Sequence, residues 1–217
     1  LTNGRDVLSR LIYGTRVSLR VGLEAVLLSL AAGTLLGALA GYYGGRLDNL
    51  IMRMMDIMLA FPSLLLAMAF MVVLGRGIDN AIMAIGFVAI PEYARIVRGS
   101  VLAVKENEYV QAARATGNRD CQVIVYHILP NVMAPLIVRG TLGISAAILE
   151  AAALGFLGLG VQPPEAEWGA MLGSGRSAIF SAPHIVTFPG IAISITVLAF
   201  NLLGDGLRDA LDPRLKQ

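Results

Sequence analysis

The chain has 217 residues, 56% of them hydrophobic and 15% charged, with a mean hydropathy of +0.71. Globular domains carry about 25% charged residues, so a chain this poor in charge cannot cover a water-facing exterior, which argues against a soluble enzyme and turns its surface toward the lipid bilayer. The formal charge of +2 is spread through the loops, which argues against nucleic acid as a partner, and a single cysteine, Cys121, rules out an internal disulfide.

An uncharged stretch of about 18 residues or more marks a spanning helix, because about 20 residues at 1.5 Å rise cross the hydrocarbon core. Only Glu24 interrupts the interval from Arg20 to Arg46, so the first span is expected over 18–42. Gly33, Gly37 and Gly41 recur along one face of it and permit close approach of another backbone, read as packing within the chain rather than a dimer motif. Arg20 and Glu24, four apart, pair on that helix. The interval from Asp56 to Arg76 gives a second span over 54–75, with Arg53 and Asp56 paired at its start. Residues 80–91 are apolar but are followed by Glu92, Arg95 and Arg98, so a third span over 79–99 holds charges at one end.

A hydrophilic segment, Lys105 to Tyr126, follows. Good helix formers fill Glu106 to Thr116, Gly117 and Asn118 supply a stop, and a second short helix is expected to run to Leu129 before Pro130. The fourth span, 132–154, is apolar except for Arg139 and Glu150. These lie eleven residues apart, and eleven steps of about 100° return to nearly the same face. One polar stripe fits a helix facing protein or a water-filled path; snorkelling or an internal ion pair is the alternative for the two charges. For the third and fourth segments a re-entrant or interfacial placement is the alternative to spanning. Gly155 to Pro183, rich in Gly and Pro, is expected to be an irregular loop, and the uncharged interval between His184 and Asp205 gives a last span over 185–204.

With five spans, six Lys and Arg (Arg5, Arg10, Arg16, Arg20, Arg76, Arg176) fall on one side. Eleven (Arg46, Arg53, Arg95, Arg98, Lys105, Arg114, Arg119, Arg139, Arg208, Arg214, Lys216) fall on the other, which the positive-inside bias makes cytoplasmic. The segment 105–130 is then cytoplasmic and the loop 155–183 extracytoplasmic. His127 and His184, the only histidines, fall on opposite sides and cannot share a metal. There is no Gly-x-x-x-x-Gly-Lys-Ser/Thr phosphate loop, Gly155, Gly158 and Gly160 follow no strand, and Cys121 has no activating His beside it. No catalytic residue, metal site or cofactor is expected in this chain. The first residue is Leu1, and no signal pattern precedes the first apolar run, so part of the protein is expected to be missing at the N-terminus.

The run from Glu108 through Gln111, Ala112, Ala113 and Arg114 to Gly117, then nine residues, then His127 to Pro130, resembles the EAA loop of binding-protein-dependent ABC importer permeases. That pattern is Glu-Ala-Ala, three residues, Gly, nine residues, Ile, any residue, Leu-Pro. Ala112, Ala113, Gly117, Leu129 and Pro130 match it; Gln111 stands where the family usually has Glu, and His127 where it has Ile. Gly4 to Arg10, Phe156 to Pro164, Glu167 to Met171 and Asn201 to Pro213 look like the dipeptide/oligopeptide/nickel branch, specifically its second permease subunit.

The resemblance implies an all-α, polytopic type I importer permease (MetI-like) with a core of five transmembrane helices and one further N-terminal helix absent from this sequence, in the plasma (inner) membrane of a prokaryote. It implies a second permease subunit, ATP-binding cassette subunits and an extracytoplasmic solute-binding protein as partners. It also places the N-terminal arginines outside. Glu108, Gln111, Ala112, Ala113, Arg114, Gly117, Leu129 and Pro130 would couple the chain to the ATPase, with small residues for close approach and Gly117 for a sharp turn. Arg139 and Glu150 would line the path, and Glu165, Glu167 and Trp168 would meet the binding protein or solute, with plain loop packing as the alternative for each. The implied cargo is short peptides, with nickel or a glutathione-like solute as alternatives. A standalone channel or secondary transporter is the reading from a different class, and an intramembrane enzyme lacks a catalytic constellation.

Overall fold

In hydrocarbon no water satisfies backbone polar groups, so an apolar chain must bond within itself as helix. The computed structural model describes residues 6–211, and the described segments are joined by short turns and one longer connection. Gly4, Arg5, Asp212, Pro213, Arg214 and Lys216 lie outside the described residues. The helices are α1 (Val7–Tyr43), α2 (Gly45–Leu59), α3 (Ser63–Leu74), α4 (Ile78–Val104), α5 (Glu108–Ala115), α6 (Asp120–Gln122), α7 (Leu129–Phe156), α8 (Trp168–Gly175) and α9 (His184–Leu211). Among the described residues four helical stretches are long and apolar enough to cross a membrane, or five if the bent pair α2–α3 is one span. Large apolar side chains cover the outside, Leu35, Val72, Val73, Ile195 and Leu202 among them, a surface suited to lipid.

The core is set by α1 and α4. An added Cβ at Gly33 would lie 2.5 Å from Tyr93 Cβ, at Gly37 2.4 Å from the Ala94 carbonyl oxygen, and at Gly41 2.9 Å from Val101 Cβ. The contacts advance together along both helices, so α1 and α4 run parallel at backbone contact. Two parallel spans require the chain between them to return across the membrane, and α2 and α3 make that return. The second predicted span, 54–75, is therefore not one straight helix: it breaks at Ala60–Pro62 and bends by 93°. Pro62 favours an extended residue before it and ends α2. At 12 residues α3 is about 18 Å long, short of the roughly 30 Å core, so α2 covers the remainder obliquely. The Arg53–Asp56 pair does not form; Asp56 instead pairs with Arg95 of α4. Asp48, almost buried, accepts two hydrogen bonds from Arg98, at 2.7 and 2.6 Å. Arg20 pairs with Glu24 as expected and also reaches Asp79 at the start of α4.

Tyr93 of α4, 1% exposed, fills the junction of three helices: Gly33 makes room on α1, and Gly143 of α7 would place a Cβ 2.1 Å from its hydroxyl. α7 packs antiparallel to α1, and α9 packs antiparallel to α7 through Gly204 against Leu142, with Ser145 Oγ donating to the Val197 carbonyl.

The first expected helix of the hydrophilic segment stands apart as α5, but the second is not separate from the fourth span. α6, a π-helical stretch Val123–Ile128 and α7 form one continuous helix, Asp120–Phe156. Pro130 does not end it, because the π-helical stretch with its wider register immediately precedes it and its missing N–H falls where the hydrogen-bond ladder changes register. The connection 155–183 is not irregular throughout, since it contains α8 and a 3₁₀ turn at Arg176–Ala178.

Gly37→Leu is expected to lower the thermal midpoint of the detergent-solubilised protein by about 5–10 °C, because the added side chain meets backbone that cannot move aside. Gly99, on the same helix pair but with open space at its Cβ position, should accept Ala with a change of no more than about 2 °C.

Candidate functional site

At the end of the bundle where α1 and α4 finish, α5 is capped by Asn107 and spans Glu108–Ala115. Val110 and Ala113 are buried toward Val123 and Ile128 of the π stretch. Glu108, Gln111, Ala112 and Arg114 are exposed. The two alanines of the motif thus do different things: Ala113 seats the helix on its own protein and Ala112 lies on the open face. Gly117 reverses the chain at φ +86°, a left-handed value that favours glycine, while nothing occupies the space where its side chain would be. Thr116 Oγ1 and Asn118 Nδ2 both donate to the Ala113 carbonyl, closing the turn. Leu129 is half-buried and Pro130 exposed at the foot of α7.

This elbow is fastened to the last turn of α1 by residues the sequence reading missed. Tyr42 Oη donates to Asp120 Oδ1 at 2.6 Å, and the Arg114 guanidinium stacks over the same ring at 4.7 Å. Lys105 Nζ donates to the Gly41 carbonyl at 3.0 Å. One nearly buried tyrosine therefore holds both limbs of the elbow. No spacing rule links Tyr42 to Asp120, 78 residues away; the only signal was an aromatic at a helix end.

At mid-height, α1, α3, α4 and α7 enclose a cavity of about 540 Å³, within the range of small-molecule sites. Ser63, Glu92, Tyr93, Arg95, Arg139 and Glu150 are among its lining residues. The structure thus brings Arg139 and Glu150 to one chamber, as their shared helix face implies, but does not pair them. Arg139 pairs with Glu92, and Glu150 has Ser63 as its polar neighbour.

At the opposite end, Glu167 and Trp168, expected at an outer contact surface, are buried, each 2% exposed. Glu167 is the N-cap of α8, accepting from Gly169 N and Ala170 N, both at 2.7 Å, and from Ser18 Oγ of α1 at 3.4 Å. Trp168 Nε1 donates to the Leu11 carbonyl at 3.1 Å. α8 lies directly on α7, where a Cβ at Gly169 would sit 2.2 Å from the Ala152 carbonyl oxygen. The plain packing alternative holds for both residues, while Glu165 is exposed beside Tyr13 and Arg16. Burial raises the Glu167 carboxyl above its usual range, and the two backbone N–H groups and Ser18 pull it partly back.

The family model for the binding-protein-dependent transport system inner membrane component matches residues 33–217. The chain is 54% identical to the dipeptide transport system permease protein DppC of Alkalihalophilus pseudofirmus, over 98% of this chain and 70% of that protein. It is 55% identical to the di/tripeptide permease DppC of Pseudomonas aeruginosa, with 98% and 70% covered. It is 50% identical to the glutathione transport system permease GsiD of Pectobacterium atrosepticum, with 98% and 71% covered. In fold it aligns with a chain of the inward-facing MetNI methionine ABC transporter at TM-score 0.75 and 19% identity, covering 94% of this chain and 96% of that one. A second alignment, to an amino acid ABC transporter crystallised with histidines, has TM-score 0.61 at 18% identity and covers 97% and 99%. The all-α, MetI-like importer permease fold is the fold of this chain.

Replacing Tyr42 with Phe removes one hydrogen bond but keeps the ring under Arg114. It should raise amide hydrogen exchange in α5 and α6 about fivefold, and Tyr42→Ala should raise it further, as mass spectrometry of the exchanged protein would read. Because the folded pKa of Glu167 lies above its unfolded value, its contribution to stability is present below the ordinary carboxylate range and is lost as pH rises through the raised value. Protection of the α8 amides, corrected for intrinsic exchange, should therefore be greater at pH 5 than at pH 8, and Glu167→Gln should abolish that difference.

Proposed function

This chain belongs to the family of binding-protein-dependent transport system inner membrane components, and on that footing we propose that it forms half of the translocation path of an ATP-driven importer of short peptides. The single observation that carries the coupling role is α5 in the elbow 105–130, which buries Val110 and Ala113 on one face and exposes Glu108, Gln111 and Ala112 on the other, while Arg114 stacks on Tyr42. Names of relatives at 50–55% identity supply the peptide class, and the glutathione permease among them keeps a glutathione-like peptide as the second reading.

With no phosphate loop in the sequence, ATP binding and hydrolysis fall to ATP-binding cassette subunits on the cytoplasmic side, and this chain needs no cofactor of its own. A second permease subunit completes the path and an extracytoplasmic solute-binding protein delivers the cargo, with Glu165 at the outer rim as a contact. Closure of the ATPases pushes α5. Tyr42 and Lys105 pass the displacement to α1, and the glycine contacts make α1 and α4 move as one body. The chamber lined by Arg139 and Glu150 then opens alternately to each side, which is alternating access by rigid-body rocking.

Reconstitution of the full transporter in proteoliposomes tests this. Glu108→Arg reverses the charge on the open face, and Gly117→Val forces a β-branched residue into a left-handed turn, a cost of about 1–2 kcal/mol. Each should lower peptide uptake about tenfold while ATP hydrolysis continues. Uptake indifferent to both changes would remove the coupling role, and gradient-driven flux through the permease pair without ATPases would favour a channel.

A further inference from the structure

The chamber's charges do not balance within the described residues. Arg139 pairs with Glu92, and Arg95 pairs with Asp56. Glu150, in the last two turns of α7, forms no ion pair among the described residues; the Ser63 hydroxyl is a polar neighbour, and the Glu92 carboxylate, already paired with Arg139, is near enough to repel it. Arg139, meanwhile, reaches Glu92 through one nitrogen, and its Nε is buried without a hydrogen-bond partner. A lone carboxylate at membrane depth is costly, and such residues face cavities and mark solute pathways. The chamber thus offers one unmatched anion and one unspent cationic donor, on the same face of one helix and opening into one cavity.

Resting on the peptide-importer reading, we propose that Glu150 is the residue of this chain that receives the α-ammonium group of the solute in transit, with the solute carboxylate directed toward Arg139. A solute with an ammonium at one end and a carboxylate at the other carries a counter-charge for each group. A neutral solute or a bare anion leaves Glu150 uncompensated. Glu92, a second carboxylate close to Glu150, adds to the negative potential there but is itself held by Arg139, and Arg95 is held by Asp56. Free peptides and glutathione share this chemistry, since each carries an α-ammonium and a carboxylate.

The test uses the complete transporter in proteoliposomes with saturating solute-loaded binding protein, so that recognition outside the membrane is held constant. Radiolabelled dialanine and radiolabelled glutathione are the probes, and co-purification of the partner subunits reports assembly. Glu150→Gln should lower uptake about tenfold or more, the scale of a lost charge-assisted hydrogen bond, with partner ratios unchanged. Glu150→Asp, which keeps the carboxylate, should retain clearly more uptake than the Gln variant. A loss confined to one probe supports the assignment for that solute. Wild-type uptake by the Gln variant, equal loss in the Asp and Gln variants, or loss of the partner subunits on substitution would each overturn it, the last by making Glu150 an assembly residue. Failure of the unsubstituted transporter to import either probe would instead sink the peptide reading itself.

Discussion

Backbone contact between two parallel helices is the constraint on which the rest of this structure depends. A Cβ at Gly37 would stand 2.4 Å from a carbonyl oxygen of α4, so the contact leaves no room for even an alanine. In a bilayer no hydrophobic driving force separates helix from lipid, and close van der Waals packing is what brings such helices together. Parallel pairing then obliges the chain to cross back between them, and the bent α2–α3 unit is the consequence. Tyr93 extends the same contact to α7, since its ring occupies the space that Gly33 and Gly143 leave open.

The elbow at 105–130 is fastened to this rigid pair. A short helix joined by a flexible hinge would absorb a push, whereas α5 and α6 are both held to Tyr42, and Tyr42 ends a helix that cannot slide against α4. The π stretch between α6 and α7 is the one place where the elbow's own helix changes register. π turns recur at functional sites because their looser hydrogen bonding tolerates adjustment. The elbow is therefore joined to the bundle twice: through Tyr42 to α1, and through the π stretch to α7, which carries Arg139 and Glu150.

Charges inside the bundle sort by partner. Asp48 with Arg98, Asp56 with Arg95 and Glu92 with Arg139 are matched across helices, which lets ionisable side chains remain at membrane depth. Asp48 and Arg98 hold the start of α2 against α4 at the elbow end and belong to architecture. The chamber pairs instead border open space.

The helical class, the four long apolar helices and the turn at Gly117 were legible in the sequence because they rest on local properties: runs without charge, a Gly at a turn, and a motif whose residues lie within one short segment. The shared face of Arg139 and Glu150 was legible too, since helical periodicity alone decides it. What the sequence left open needed partners far along the chain. Arg53 and Asp56 have ideal spacing for a helical pair, yet Arg95 of another helix takes Asp56. Glu167 and Trp168 sit in a polar, Gly-rich stretch that reads as exposed, yet α8 folds down onto α1 and α7 and buries both. The break at Pro62 is visible locally, but its 93° bend is not. Local covalent geometry and hydropathy thus determined which segments are helical and apolar. Which side chains meet, and which charge is left without a partner, was decided only when the helices packed, because those contacts join residues tens of positions apart.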